Sequence, residues 1–296
     1  MIHTQKTRVR LFQGDCIIGM RKHVPNGTVD IVVTSPPYNI GVKYASYEDS
    51  LSREDYLSWT LGWAREVRRC LKDDGSLFLN IGGSLKEPLI PHQVVSMLVE
   101  KGVFKLQNTI HWIKSIALPG ADGVEKQRGH YKPINSERFV NDCHEYIFHL
   151  TPHGNTPLKR LDVGIPYADK SNIARWGGTG GKDLKCRGNN WFRPEDEQAE
   201  DTNTWFIPYK TITRRAKERP HPATFPDDLA ARCIALHGRN GQSVVMDPFL
   251  GIGHAAYGTI DREAREFIGF ELDPDYLGVV KEELLARGNE FETGAV

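Results

Sequence analysis

Asp30-Ile-Val-Val-Thr-Ser-Pro-Pro-Tyr38 reads as a buried strand that stops abruptly. Ile31, Val32 and Val33 are β-branched and continuous, the pattern of a strand covered on both faces. Pro36 and Pro37 remove two backbone donors in a row, so no ladder continues past them. Ser35 precedes a proline and is pushed to an extended conformation. A stiff corner results, carrying a hydroxyl, bare carbonyls and an aromatic ring. In an open α/β sheet ligands sit at that carboxyl end. Carbonyls that no strand claims need donors, and an exocyclic amine on a nucleobase supplies two. Tyr38 offers a face for a base to stack on and Ser35 a small acceptor. An ordinary Pro-Pro turn is an equal reading of these residues alone.

Thr34-Ser35-Pro36-Pro37-Tyr38 resembles the catalytic motif of the amino-group DNA methyltransferases, which modify N4 of cytosine or N6 of adenine. The Ser-Pro-Pro-Tyr form is the more typical of the cytosine enzymes; adenine enzymes more often carry Asp or Asn at the Ser35 position. The resemblance therefore favours cytosine N4 and keeps adenine N6 as the alternative. It implies catalytic roles for Ser35, Pro36, Pro37 and Tyr38, with Thr34 beside the cofactor.

A second signal lies far along the chain, in Asp247-Pro-Phe-Leu-Gly-Ile-Gly-His-Ala-Ala256. The strand Gly241–Phe249, a glycine turn and a helix from Gly251 to about Ile260 form a nucleotide-binding βα unit, whose glycines let the backbone approach a ligand. Glu271 ends the next strand, 20 residues after Gly251, where an acid holds ribose hydroxyls. On spacing alone Gly251-x-Gly253-x-x-Ala256 also passes as a dinucleotide fingerprint, so an NAD-dependent oxidoreductase is a competing reading. Asp247 disfavours it, because a diphosphate would meet a carboxylate there whereas a cationic amino-acid moiety would be welcomed.

The segment resembles the family's Asp-Pro-Phe-x-Gly-x-Gly cofactor motif, with His254 where a small hydroxyl residue is usual. The resemblance implies S-adenosyl-L-methionine as cofactor, with Asp247 on its ammonium side, Glu271 on the ribose, and Phe249, Gly251 and Gly253 shaping the pocket. His221-Pro-Ala-Thr-Phe-Pro226 is similar to the family segment that closes over the methionine end, placing His221, Thr224 and Phe225 there. Asp15, after the strand at 8–15, falls near the adenine by the same resemblance. From the residues alone it is equally a cap for the helix Cys16–His23.

Apolar spacing places helices over Leu51–Leu71, 88–102, Asp227–His237 and Asp273–Arg287. Strands fall at Ser76–Ile81, Phe104–Lys114, His144–Leu150 and Phe267–Glu271, with Asp73-Asp74-Gly75 read as the stop between helix and strand. The fold class is α/β, a doubly wound and mostly parallel sheet. The order of the two motifs implies the circularly permuted, Rossmann-like methyltransferase arrangement. Residues 1–152 form the catalytic half, 153–219 an irregular target-recognition insert, and 220–296 the cofactor half. Tyr44 and Tyr47 lie in a loop placed over the pocket.

The chain of 296 residues has no net charge, yet residues 101–220 hold 20 Lys+Arg against 14 Asp+Glu. A mildly basic middle with interleaved aromatics, such as Trp176, Trp191 and Trp205, suits phosphate and base contacts; a small subdomain with an aromatic core is the plainer reading. Five scattered cysteines read as reduced thiols. No Pro-Cys pair supplies the nucleophile of a C5-cytosine enzyme, and nothing near Cys143-His144 completes a metal site. No membrane-length apolar run occurs. The resemblance implies double-stranded DNA as partner, leaves room for a cognate restriction endonuclease and a homodimer, and points to the cytoplasm of a bacterial, archaeal or phage-infected cell. A DNA-binding protein with an inactive methylase core is the reading from another class.

Overall fold

In the computed structural model residues 6–119, 125–129, 137–140, 142–166, 192–193, 198–199, 203–209, 221–238 and 241–296 are described. The continuous apolar run at Val29–Thr34 forms β2, and all six of its residues are buried. It lies between β3 (Leu71–Ile81) and β11 (Val244–Asp247), parallel to both. Next to β11 come β12 (Glu266–Glu271), β1 (Arg8–Gln13) and β13 (Phe291–Ala295). On the other side of β3 come β6 (His144–Thr151), β4 (Lys105–Pro119) and β10 (Thr204–Tyr209), with β5 (Glu125–Gly129) pairing β4. Among the described residues of this sheet only β5 and β6 run antiparallel to their neighbours. A separate small sheet joins β7 (Ile165–Pro166), β8 (Phe192–Arg193) and β9 (Gln198–Ala199).

Alternate strand residues feed two cores, as a period of two requires. Val9, Leu11, Ile31, Val33, Phe78, Val245 and Phe267 meet α4 (Asp227–His237), α5 (His254–Asp261) and α6 (Pro274–Ala286). Phe12, Val32, Leu77, Leu79, Met246, Ile268 and Phe270 meet α1 (Cys16–His23), α2 (Arg53–Cys70) and α3 (Ile90–Glu100). The helices of the N-terminal half therefore cover one face and those of the C-terminal half the other, the doubly wound layering expected. The strands of the two halves interleave in a single sheet, with β11 and β12 between β2 and β1.

Charges inside the sheet are tied down. Asp30, 1% exposed, accepts from Lys72 Nζ at 2.7 Å and from the Val244 backbone N–H at 2.9 Å, linking three adjacent strands. The Ser76 hydroxyl bridges His149 and His237 at 2.9 Å each. Burial, and then the neighbouring His237, hold His149 down to about 3, so it stays neutral.

Three local features differ from expectation. α2 ends at Cys70 and β3 begins at Leu71, so Asp73-Asp74-Gly75 lies inside the strand and not in a separating turn. The register of β2 and β3 shifts between Val29 and Ile31, and a Cβ on Gly75 would come within 3.1 Å of the Asp30 carbonyl. After α6, Phe291–Ala295 forms an edge strand along β1, where the sequence reading placed no strand. Thr204–Tyr209, within the segment read as insert, pairs in parallel with β4. There Trp205 is a core residue, 2% exposed, with the Arg232 guanidinium 4.9 Å from its ring centre. Trp176, Trp191 and the Gly177–Gly181 run lie outside the described residues.

Candidate active site at the carboxyl edge of the sheet

β1, β12, β11 and β2 are adjacent and parallel, so the turns that follow them open on one edge. Those turns are Gly14–Cys16, Glu271–Asp273, Pro248–Gly253 and Ser35–Tyr38. Together they line one cleft. Ser35 and Pro37 line it from one side, and Phe249, Gly251 and Glu271 from the other. The two motifs, more than 200 residues apart in the chain, thus share one cavity.

The cofactor-type wall is built from carboxylates and a glycine turn. Glu271 accepts from the backbone N–H of Gly251 at 2.6 Å and of Asp273 at 2.9 Å. Burial pushes its pKa up to about 7 against these two hydrogen bonds. Asp247 is 1% exposed and sits beneath the lining. Its Oδ1 accepts from the Thr34 hydroxyl at 2.6 Å and from the Phe249 N–H at 2.9 Å. Its Oδ2 is buried without a hydrogen-bond partner among the described residues, and burial raises the carboxyl to about 7. Gly251 has φ +54° and Gly253 φ +94°, the left-handed region that glycine tolerates. A Cβ at Gly253 would lie 2.9 Å from the Tyr257 hydroxyl, so this glycine shapes the helix start from behind the wall.

Asp15 lines the cleft and is also the N-cap of α1, accepting from the N–H groups of Ile17 and Ile18 at 2.9 and 3.0 Å. The two readings of that residue are compatible. His221, Thr224 and Phe225 reach the cleft from the segment before α4. The His221 ring stands 4.6 Å from that of Tyr276 and 5.5 Å from that of Tyr44. Tyr44 and Tyr47 line the cleft, as does Trp59 from α2. Ser46 anchors their loop by donating to Asp273 Oδ2 at 2.6 Å.

On the opposite wall Pro36 is buried, and the Pro37 carbonyl accepts from the Tyr56 hydroxyl at 3.0 Å. Tyr38 lies behind Ser35, their oxygens 2.8 Å apart, and burial raises its hydroxyl well above the usual tyrosine range. Sequence reasoning missed the groups that hold this corner. Asn80 Nδ2 lies 2.9 Å from Tyr38 Oη and 2.7 Å from Glu145 Oε2, and Lys114 Nζ is 2.5 Å from Glu145 Oε1. Asn80 closes a strand predicted at 76–81, so a polar residue at a strand's carboxyl end was a usable signal. Glu145 opens an antiparallel strand and reaches the same edge by its start; only the strand direction reveals that. Also missed was Asp227, whose carboxylate pairs with the His254 ring.

The fold is thus a doubly wound sheet with a cleft at its carboxyl edge, lined by Glu271 above the buried Asp247 on one side and by Ser35 of the proline-stiffened corner on the other. A family model described as a DNA methylase, covering the N6 and N4 enzymes, matches residues 29–282. The chain belongs to this family of amino-group DNA methyltransferases. The type II methyltransferase M.ScaI of Streptomyces caespitosus is 29% identical over 96% of this chain and 83% of its own. The DNA adenine methyltransferase YhdJ of Escherichia coli K12 is 25% identical over 90% of this chain and 79% of its own. Among solved structures, the cytosine-N4-specific PvuII DNA methyltransferase aligns with TM-score 0.65 at 18% identity, over 94% of this chain and 86% of that one. TTHA0409 of Thermus thermophilus, complexed with S-adenosyl-L-methionine, aligns with TM-score 0.58 at 20% identity, over 97% and 99%. These structural likenesses show the fold. Among the described residues no helix is long and apolar enough to cross a membrane.

Proposed function

We propose that the protein transfers a methyl group to the exocyclic N4 of cytosine in duplex DNA. The observation that carries the choice of base is Ser35 in Thr34-Ser35-Pro36-Pro37-Tyr38, a serine where adenine enzymes more often carry Asp or Asn. The methyl donor is S-adenosyl-L-methionine, whose sulfonium supplies an electrophilic methyl group. The residues present fit it. Asp247 holds an unpartnered carboxylate oxygen on the side where an ammonium would lie, and Glu271 offers acceptors for ribose hydroxyls. Phe249, Gly251, His221, Thr224 and Phe225 would enclose the rest, with Asp15 near the adenine.

The target base is drawn out of the duplex into the cleft. Its amino lone pair is delocalised into the ring and is a poor nucleophile. Hydrogen bonds from the amine to Ser35 Oγ and the Pro36 carbonyl pull the nitrogen toward tetrahedral geometry and expose the lone pair. Tyr38 supports the base from the corner it rigidifies. Nitrogen then attacks the methyl carbon as the carbon–sulfur bond breaks, so positioning and electrostatics carry most of the rate. The permuted order of the motifs, a target-recognition role for 153–219, a cognate restriction endonuclease and a homodimer belong to the same proposal.

Adenine N6 is the second reading, favoured by the similarity to YhdJ. Mass analysis of nucleosides from DNA treated with the protein and labelled cofactor separates the two. N4-methylcytosine is the expected product; N6-methyladenine in its place overturns the choice of base.

A further inference from the structure

We propose that Glu145 is the terminal proton acceptor of the methyl transfer, acting through Tyr38 and Ser35 as a positioning residue. The inference rests on the amino-methyltransferase reading and concerns a step that reading leaves open. A neutral amine that gains a methyl group becomes a cation, and one N–H proton must leave.

The oxygens form a directed chain. The Glu145 carboxylate pairs with Lys114 Nζ, 2.5 Å from Oε1, with only 12% and 19% of the two side chains exposed. A carboxylate only accepts, so the Tyr38 hydroxyl donates to Oε2, at 3.0 Å. That commits Tyr38's one proton. The 2.8 Å contact between Ser35 Oγ and Tyr38 Oη must then be donated by serine. Asn80 reinforces the polarity: its Nδ2 lies 2.7 Å from Glu145 Oε2, 2.9 Å from Tyr38 Oη and 3.3 Å from Ser35 Oγ, donating toward oxygens alone. Ser35, which lines the cleft, is left with lone pairs for an incoming N–H. A carboxylate 110 residues away thus decides that the serine accepts from the base.

The same chain moves the proton. As nitrogen bonds to the methyl carbon, its proton passes to Ser35 Oγ, the serine proton to Tyr38 Oη, and the tyrosine proton to Glu145 Oε2. The product is a neutral methylated amine; serine and tyrosine are unchanged and Glu145 becomes a neutral carboxyl, later deprotonated by water. No further reactant is needed.

The test measures single-turnover methyl transfer from tritiated S-adenosylmethionine to DNA in the full chain. Cofactor and DNA affinities and Tm are read alongside. Glu145→Gln keeps an acceptor oxygen but no base, and is expected to slow the step about 100-fold with both affinities within about threefold. Tyr38→Phe is expected to do the same, and the double variant to be no slower than either single one. Glu145→Ala is expected to regain at least about tenfold on adding formate, a small carboxylate base, which a structural prop would not do. A Glu145→Gln rate within about threefold of wild type overturns the relay; so does a Glu145→Ala loss that formate leaves untouched. If the wild-type protein methylates no amino nitrogen in DNA, the functional reading falls and the relay with it. An active wild type with an unimpaired Glu145→Gln removes the relay alone.

Discussion

The two walls of the cleft treat their carboxylates in opposite ways. Glu145 has a lysine, an amide and a tyrosine around it and is complete as it stands. Among the described residues Asp247 and Glu271 have only a hydroxyl and backbone N–H groups as partners, and burial lifts both to about 7. Buried charge without a cation is costly. One wall is therefore pre-organised for chemistry, while the other is left short of positive charge that a cationic ligand brings.

The sharpest way to break this contrast is a pair of variants. Ser35→Ala is expected to lower the single-turnover rate by about 100-fold or more, with cofactor affinity within about threefold. Asp247→Asn is expected to weaken cofactor binding by about 100-fold in calorimetry, as loss of a buried charge partner does. If both variants changed rate and affinity equally, the division between the walls would fail.

The cofactor-free protein tests the electrostatics alone. The folded pKa values of Asp247 and Glu271, about 7, lie above the ordinary values of 3.8 and 4.5. The folded state thus binds more protons between those limits, and the stability these groups contribute is present below about pH 4 and lost as pH rises through about 7. Asp247→Asn keeps an oxygen for Thr34 and Phe249 and is expected to raise stability at pH 8 by about 1–3 kcal/mol, measured by denaturant unfolding. The ligand runs the other way: its affinity for the wild type is expected to increase about tenfold from pH 6 to pH 8 as the carboxyls ionise. A flat profile would show that neither carboxylate meets the cation. The turn between strand and helix is read by stability alone. Gly253→Ala forces a left-handed φ on alanine and crowds Tyr257, a cost of about 1–3 kcal/mol in unfolding free energy.

Much of this was legible in the chain. Val29–Thr34 and Val244–Asp247 are apolar enough to be central strands wherever they pair, and two prolines or two glycines end such strands in only a few ways. The starts of α2 and α6 are fixed by Ser52 and Asp273, whose side chains cap them. The edge strand at Phe291–Ala295 was illegible because its burial is weak and its ladder is supplied by β1. Asp73-Asp74-Gly75 looked like a turn, since a strand that starts within one residue of a helix leaves no local mark. Asp227 looked like a helix-start acid until the fold brought His254 against it.

By itself the sequence determined the strand ends and the chemical character of each corner, because proline, glycine and β-branched residues restrict the backbone locally whatever surrounds them. Only the tertiary structure decided that two corners more than 200 residues apart face one cleft, and that Glu145 stands behind Ser35. Strand order and direction are set by packing across the whole sheet, and a hydrogen-bond chain through Asn80, Tyr38 and Lys114 exists only once those strands lie side by side.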